Sequence, residues 1–296
     1  MNIIAQLQGG LGNQLFQYAT ARALANRFQA HLELDTAWFE AAYEDVTKRD
    51  VQLSELSIDT HLICQTPLIN RPKRTRRILQ HLLRLNPYIY CEHKPYSFDS
   101  QLSQIHLHQN QDLYLLGYWQ SYKYFSEIRT QLISELCPRL GINSAYQLFL
   151  DQIERSSAAM VHVRRGDYIN LLAASKVHGF LGLAYYEKGM STLLARDSEL
   201  HYFVFSDDIV WAQNNLPLQE RITYIQVDPE MTSATQELFL MSQCKYHLIA
   251  NSSLSWWGAW LAHGNNSQSK VISPMHWTND RQINWDDLLP PTWDRI

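Results

Sequence analysis

The chain has 296 residues, 46% hydrophobic and 18% charged, so it can bury a sizeable core and is long enough for two domains of ordinary size. Its formal net charge of -4 argues against broad nucleic-acid binding, because that function usually requires a basic face that displaces counterions from phosphates. The four cysteines are far apart and form no CxxC pair, which indicates neither a zinc site nor a disulfide framework.

The beginning of the chain predicts a strand, a helix and a second strand. Residues 3–7 (IIAQL) form a short apolar run, and a glycine turn separates them from residues 13–28, where apolar side chains recur at helical spacing. HLELD, at 31–35, predicts the next strand. A strand–helix–strand order of this kind is typical of a parallel sheet.

Regular alternation of strands and helices begins near residue 155. Before it, the region 40–110 is less periodic, and LYLLGYW at 113–119 predicts a strand that leads into an aromatic loop. After it come AAMVHV, HYFVFS, ITYIQV, YHLIA and KVIS, separated by helical stretches, which predicts a doubly wound α/β domain. We place the junction near residue 150, between an N-terminal α/β domain (1–150) and a C-terminal α/β domain (151–296).

The first chemical motif is the glycine-rich turn QGGLGNQLFQYA. Gly10 and Gly12 match the first two glycines of a dinucleotide-binding turn, and Asp35 follows where a ribose-binding acid would stand. The third glycine is missing, so a tight turn with no ligand is the simplest alternative. Asn13 and Gln14 favour a function, because carboxamides at a helix start can hydrogen-bond sugar hydroxyls or phosphate.

The second motif is VHVRRGDY, at the end of a predicted buried strand. Strand ends hold ligands in open α/β sheets, and arginine recognises phosphate through paired hydrogen bonds. Arg164 and Arg165 would point to opposite faces of a continuing strand, so that one faces the ligand and the other supports it. The alternative is a structural ion pair with Asp167.

Two further motifs follow later strands of the same predicted sheet. Asp207 and Asp208 end the run FSDD, and paired aspartates of this kind can bind a metal ion. Adjacent carboxylates on a strand point apart, however. We therefore favour one of them as a hydrogen-bond acceptor for ribose or base and the other as a capping group. Asn251, Ser252 and Ser253 follow YHLIA at a predicted helix N-terminus, which makes either an anion site or an ordinary cap.

In this order, QGGLGNQLFQYA, GYWQSYKYF, VHVRRGDY, FSDD and NSSLSWWGAWL resemble the motifs of glycosyltransferase family 11, the α1,2-fucosyltransferases. The resemblance implies a GT-B-like fold in which two Rossmann-type α/β domains face a cleft. It assigns the acceptor side, with the glycine-rich turn, to the N-terminal domain (1–150) and the binding of GDP-fucose to the C-terminal domain (151–296). It also implies transfer of L-fucose, with inversion, from GDP-β-L-fucose to the 2-hydroxyl of a terminal β-galactoside in O-antigen or other surface glycan synthesis. No metal and no cofactor are expected besides the donor substrate.

The resemblance further implies roles for individual residues. Arg164 and Arg165 would hold the GDP diphosphate, whose negative charge grows as the fucosyl bond breaks, and His162 would support the nucleotide. The other residues expected to bind the donor are Gly10, Gly12, Asn13, Gln14, Asp207, Asp208, Asn251, Ser252 and Ser253.

An inverting displacement ordinarily requires a general base that accepts the proton of the galactose hydroxyl. Asp167 and His178 are the leading candidates, because both follow the arginine strand on a loop expected to face the cleft. Asp35 is a third candidate. A dissociative mechanism without a dedicated base is the alternative.

Two rival functions explain parts of the sequence. A nicotinamide-dependent oxidoreductase would use GGLGN and Asp35, and a non-catalytic galactoside-binding protein would use the nine tryptophans. Neither requires two arginines at a strand end, so both are less favoured than the transferase.

The location expected from the sequence is the cytoplasm. The N-terminus does not resemble a signal peptide, and no apolar run reaches the ~18 residues that a membrane helix requires. A lipid-linked, galactose-terminated acceptor is a further expectation. The basic stretch from Arg71 to Arg77 favours loose contact with the anionic inner membrane.

Overall fold

The computed structural model describes residues 1–40, 50–59, 61–63, 87–108, 110–165, 179–262 and 270–296. The chain forms two compact units. The first consists of Met1–Ser54 and Ile58–Arg129, and the second of Glu55–Ser57 and Thr130–Ile296. The helix at Ser144–Glu154 lies inside the second unit.

The first unit contains a five-stranded parallel sheet in the order β3-β2-β1-β5-β4. The predicted strand–helix–strand opening is confirmed, and the helix begins two residues earlier than expected because the extended Gly10 forms its N-cap. The elements are β1 (Asn2–Gln6), α1 (Leu11–Phe28), β2 (His31–Asp35), α2 (Ala37–Glu40), β3 (His61–Ile63), β4 (Tyr88–Cys91), α3 (Ser100–Ser103) and β5 (Leu113–Leu116), with 3₁₀ turns at Leu53–Glu55, Tyr122–Tyr124 and Ser126–Ile128.

The second unit contains a six-stranded parallel sheet in the order β11-β10-β9-β6-β7-β8. From β6 the chain adds two strands on one side and then three on the other, which confirms the doubly wound prediction. The elements are α4 (Arg129–Glu135), α5 (Ser144–Glu154), β6 (Ser157–Val163), α6 (Leu183–Leu194), β7 (Leu200–Ser206), α7 (Ile209–Asn215), β8 (Ile222–Tyr224), a 3₁₀ turn (Pro229–Met231), α8 (Ala234–Gln243), β9 (Tyr246–Leu248), α9 (Ser253–Ala262), β10 (Lys270–Ser273) and β11 (Asp294–Arg295).

The strand β6 sends alternate side chains to opposite faces of the second sheet. Ala159, Val161 and Val163 belong to a buried cluster that includes Met190 and Leu193 of α6. The residues between them, including the buried His162, therefore point to the other face. This alternation decides which side of the sheet each side chain at the end of β6 occupies.

The tryptophans of helix α9 pack in the core of the second unit. Trp256 and Trp257 are fully buried and Trp260 is 4% exposed. The rings of Trp256 and Trp257 meet edge to face with centroids 5.1 Å apart, and the Trp256 indole donates a hydrogen bond to the carbonyl oxygen of Leu288. Across the described ranges, no helix is long and apolar enough to cross a membrane.

The contact between α8 and α9 depends on Gly258. A Cβ atom at this position would lie 2.6 Å from Cβ of Met241, which is fixed to the backbone of α8 and cannot turn away. We expect Gly258→Ala to push the helices apart and to lower the melting temperature by about 2–6 °C.

Thermal unfolding measures this effect, with Gly182→Ala as the matched control, because nothing lies within 4 Å of a Cβ there. Equal melting temperatures for the two variants would mean that α8 and α9 are not in close contact at Gly258.

Candidate functional site

The carboxyl ends of β6 and β9 meet at the switch point of the second sheet. These neighbouring strands are parallel, with Val161 opposite Leu248. Ligands bind at this position in doubly wound sheets. Arg164 and Arg165 follow β6, and Ser252 and Ser253 follow β9, so the structure brings these four predicted residues to one edge.

Arg165 is held by the fold on one face of the sheet. Its backbone N–H donates to Oδ1 of Asp207 at 2.8 Å, and its guanidinium pairs with Asp208. The guanidinium carbon also lies 5.2 Å from the ring centroid of Trp211 and 5.9 Å from that of Phe180. Because Asp208 also caps α7 by accepting the N–H of Trp211, Arg165 has a supporting position.

Arg164 lies beside Asp207 and is about as exposed as Arg165. Its Nη1 atom lies 3.2 Å from Oδ2 of Asp207, and about a quarter of its side chain is exposed. Alternation along the strand places it on the same face as His162. Arg164 is therefore the arginine placed to contact an anion at the switch point.

His162 is a neutral, buried imidazole beside Arg164. Burial, and secondarily the positive charge of Arg164, lower the pKa of His162 to about 3. Its Nδ1 atom is buried and has no hydrogen-bond partner among the described residues. Since buried polar atoms are nearly always paired, this nitrogen is suited to a ligand.

Glu237 is a site residue that the sequence reasoning missed. Burial raises the pKa of this carboxyl group to about 7, while Arg164 lowers it and Asp207 raises it by smaller amounts. Glu237 lies in the first turn of α8, and Ser233 is the N-cap of this helix. Its isolated position in the apolar helix ATQELFLMSQ was the available signal, but a glutamate near a helix start is usually a capping residue.

The polar turn after β9 contains one structural residue and two accessible ones. Asn251 is 2% exposed, and its Nδ2 donates to the carbonyl oxygens of Gly179 at 3.2 Å and Trp277 at 3.3 Å. Ser252 and Ser253 are half-buried at the start of the ten-residue helix α9. The serines, rather than Asn251, are placed to meet an anion at this N-terminus.

The predicted residues of the first unit are largely engaged within it. Gln14 is fully buried, and its carboxamide bonds the backbone of Gly9, Asp50 and Gln52. Gly10 caps α1, and Gly12 is buried in its first turn.

Asn13 makes fewer hydrogen bonds within the first unit than Gln14 does. It accepts one hydrogen bond from Gln120, and no other bond of its side chain occurs among the described residues.

Asp35 has an internal role that disfavours it as a general base or a ribose-binding acid. It is fully buried, and its two oxygens accept the hydroxyl of Tyr114 and the N–H of Ala37. Asp167, His178 and the stretch from Arg71 to Arg77 lie outside the described residues. Within the described ranges, no group of three or more His, Cys, Asp or Glu side chains is placed to hold a metal ion.

The whole length of the sequence matches a known family. Residues 2–296 match the model of Glycosyl transferase family 11. The chain belongs to this family. It is therefore a glycosyltransferase, and its fold is GT-B-like, with a parallel α/β sheet in each unit.

Three relatives of this family 11 enzyme are similar to it along most of its length. An α-1,2-colitosyltransferase of Escherichia coli is 31% identical over 99% of this chain and 98% of the relative. The O-antigen biosynthesis glycosyltransferase WbnK, also from Escherichia coli, is 32% identical over 92% and 93% of the two chains. A mouse galactoside 2-α-L-fucosyltransferase, Sec1, is 23% identical over 92% and 68%.

A solved structure supports the fold. That of an arginine-to-lysine mutant of Arabidopsis thaliana FUT1, in complex with GDP, has a TM-score of 0.52 and 10% identity, over 88% of this chain and 68% of the other. At this identity the likeness concerns the fold alone.

The raised pKa of Glu237 makes folding stability depend on pH. The carboxyl group holds its proton up to about pH 7 in the folded enzyme, against an ordinary value of 4.5. Stability present at low pH is therefore lost as the pH rises through about 7. The side chain of Glu237→Gln cannot ionise. We expect this variant to have nearly the same melting temperature as the wild type at about pH 5, and a higher melting temperature than the wild type at about pH 8.

Thermal unfolding across this pH range tests the expectation. Glu230→Gln, at an exposed position of the same unit, is the control and should follow the wild type. Parallel pH curves for wild type and Glu237→Gln would contradict the assignment of the raised pKa.

Proposed function

We propose that this family 11 enzyme transfers L-fucose, with inversion, from GDP-β-L-fucose to the 2-hydroxyl of a terminal β-galactoside. The observation that carries the proposal is the position of Arg164 at the switch point of a doubly wound sheet, where the neighbouring strand β9 leads into the N-terminus of α9. This combination of a guanidinium and helix N–H groups suits a diphosphate.

Charge development during transfer explains why an arginine is useful there. As the bond between fucose and phosphate breaks, negative charge accumulates on the departing diphosphate. Arg164 would neutralise it through paired hydrogen bonds, assisted by the N–H groups that follow Ser252. Asp207 stays in place when Arg164 turns to the ligand, because it also accepts the backbone N–H of Arg165.

The neighbourhood of Arg164 also supports guanine as the base of the donor. An ionised Glu237 would repel phosphate, but it would accept a pair of N–H donors such as guanine N1–H and its 2-amino group. Adenine lacks this pair of adjacent donors. Neutral His162, with its unpartnered Nδ1, supplies a further hydrogen bond without adding charge.

The names of the relatives support transfer to the 2-position and limit the candidates for the transferred sugar. Two of them are named for transfer to the 2-position, one with colitose and one with L-fucose. Colitose is L-fucose without its 3-hydroxyl group, so one donor pocket can be adapted to either. We favour fucose on the motif resemblance, with colitose as the second candidate, and the similarity to WbnK supports a role in O-antigen synthesis.

The direct test supplies lactose with GDP-fucose or GDP-colitose in the presence of EDTA and follows GDP release and product linkage. We expect fucosylation at the galactose 2-hydroxyl, unaffected by EDTA, and a loss of about 10²–10³ in kcat for Arg164→Ala. Arg196→Ala is the control, because Arg196 forms an exposed ion pair with Asp294 in the same unit.

Other outcomes separate the alternatives. Exclusive use of GDP-colitose would replace fucose by colitose. Stabilisation by nicotinamide cofactors but not by GDP would favour the oxidoreductase, and binding of galactosides without GDP would favour the lectin.

Guanine recognition through Glu237 predicts a pH dependence of donor binding. The donor would bind the ionised carboxylate, so the affinity for GDP-fucose should rise between about pH 6 and 8 and level off above the pKa of about 7. We expect Glu237→Gln to lose this dependence and to bind GDP-fucose about 10- to 100-fold more weakly.

Calorimetric titration measures the affinity, and GDP-fucose is the suitable ligand because its diphosphate does not titrate in this range. Glu230→Gln again serves as the control. Equal losses of affinity for GDP and ADP in Glu237→Gln would contradict a role in reading guanine.

A further inference from the structure

Arg165 lies on the face of the second sheet that packs against α6 and α7. Val161 and Val163 belong to a buried cluster with residues of these two helices, and Arg165 continues the same alternation beyond the end of β6. Phe180 and Trp211 pack against the same apolar cluster. A cationic side chain therefore follows directly from an apolar core, where its charge requires compensation.

Two aromatic rings provide part of that compensation. The guanidinium carbon of Arg165 lies over the ring of Trp211, 5.2 Å from its centroid, and 5.9 Å from the centroid of Phe180. The two rings meet edge to face, with centroids 5.1 Å apart, so Phe180 and Trp211 form an aromatic corner around one cation. Both rings are within the ~6 Å over which a guanidinium is attracted to a ring face.

The donors of Arg165 show why the aromatic corner is needed. One of them, at Nη1, pairs with the carboxylate of Asp208. The Nε atom is buried and has no hydrogen-bond partner in the part of the chain that the structure describes. Because a buried donor without an acceptor is costly, the attraction of the ring faces for the guanidinium offsets a penalty that Asp208 does not remove.

The first turn of α7 supplies both the carboxylate and the larger ring. Asp208 is the N-cap of this helix, and its Oδ1 accepts the N–H of Trp211 at 3.1 Å while its Oδ2 pairs with Arg165. One hydrogen bond thus fixes the carboxylate and the indole relative to each other. Through these two contacts, the side chain of Arg165 ties the start of α7 to the end of β6.

The backbone transmits this attachment to Arg164. The N–H of Arg165 donates to Oδ1 of Asp207 at 2.8 Å, and Oδ2 of the same carboxylate lies 3.2 Å from Nη1 of Arg164. Asp207 therefore contacts both arginines. If the side chain of Arg165 turned into solvent, the peptide between the arginines would move, and the carboxylate that holds Arg164 would move with it.

We propose that Trp211, together with Phe180, is a positioning residue for donor binding, because it holds Arg165 and thereby keeps Arg164 directed at the diphosphate. The identity of the donor as a GDP-linked sugar rests on the proposed function. Trp211 acts through Arg165, and neither ring of the aromatic corner is assigned a contact with the donor or with the reacting atoms.

A double-mutant cycle on GDP affinity, measured by calorimetric titration, tests the proposal. Trp211→Leu keeps an apolar side chain against the cluster but removes the ring, and we expect it to weaken GDP binding about three- to tenfold. Trp211→Phe retains a ring face and should stay within about twofold of wild type. In an Arg165→Met background, which has no cation, Trp211→Leu should change the GDP affinity by less than about twofold. The KM for lactose should stay within about twofold of wild type in both Trp211 variants.

Phe28→Leu is the matched control. The ring of Phe28 lies 4.9 Å from the guanidinium carbon of Arg27 in the first unit, so this variant removes the same kind of contact away from β6. It should leave the GDP affinity unchanged. Thermal unfolding of every variant accompanies the titrations and shows which of them are folded.

Other results would overturn the inference. Unchanged GDP affinity in Trp211→Leu would remove the positioning role, and an equal loss in the wild-type and Arg165→Met backgrounds would mean that the ring acts on α7 rather than on Arg165. If Trp211→Leu does not fold, the same cycle with Phe180→Leu decides. If the wild type binds no GDP, the proposed function fails by itself. The cycle is then measured in the free energy of unfolding, where coupling between Trp211 and Arg165 supports the aromatic corner and its absence overturns it.

Discussion

Two arginines at the end of one buried strand are neutralised by two aspartates at the end of its neighbour, and the site of the second unit depends on this pairing. The strands β6 and β7 are parallel and in register, with Val163 opposite Ser206. The residues that follow therefore meet as Arg164 with Asp207 and Arg165 with Asp208. Because neighbouring residues of an extended chain point to opposite faces, the two arginines lie on opposite sides of the sheet.

Burial sets the charge of the groups around Arg164. His162 stays neutral because a second positive charge beside Arg164 would be buried without a partner. Glu237 keeps its proton to about pH 7 because burial disfavours its charged form, and the negative charge of Asp207 raises its pKa by a smaller amount. The positive charge of Arg164 is thus balanced by the carboxylate beside it.

In the first unit, polar side chains hold the turns and loops in place. Its polar side chains support backbone rather than balance charge, as Gln14, Gln17 and Glu92 each bind main-chain groups of a turn or loop. Buried polar groups require partners, and backbone carbonyls and N–H groups at strand ends are the nearest ones. For this reason several polar residues near a strand end, Asp35 and Asn251 among them, bind main-chain groups.

The sequence by itself determined the parallel α/β architecture and the doubly wound order of the second sheet, and it proposed the arginine strand as a candidate site. These follow from local patterns, namely apolar periodicity, glycine turns and charged residues at strand ends. The same patterns identified the family. The residues brought to the switch point by β6 and β9 were predicted in the same way, since carboxyl ends of parallel strands share one edge. Only the tertiary structure decided the partners. Arg165 meets Asp207 and Asp208 across 42 and 43 positions of sequence, and strand register, which the sequence does not reveal, selects them. The sequence offered Asp167 as the nearest acid. Glu237 was missed for a related reason: it is a lone carboxylate whose role comes from burial and from neighbours distant in sequence, and neither property has a local signature.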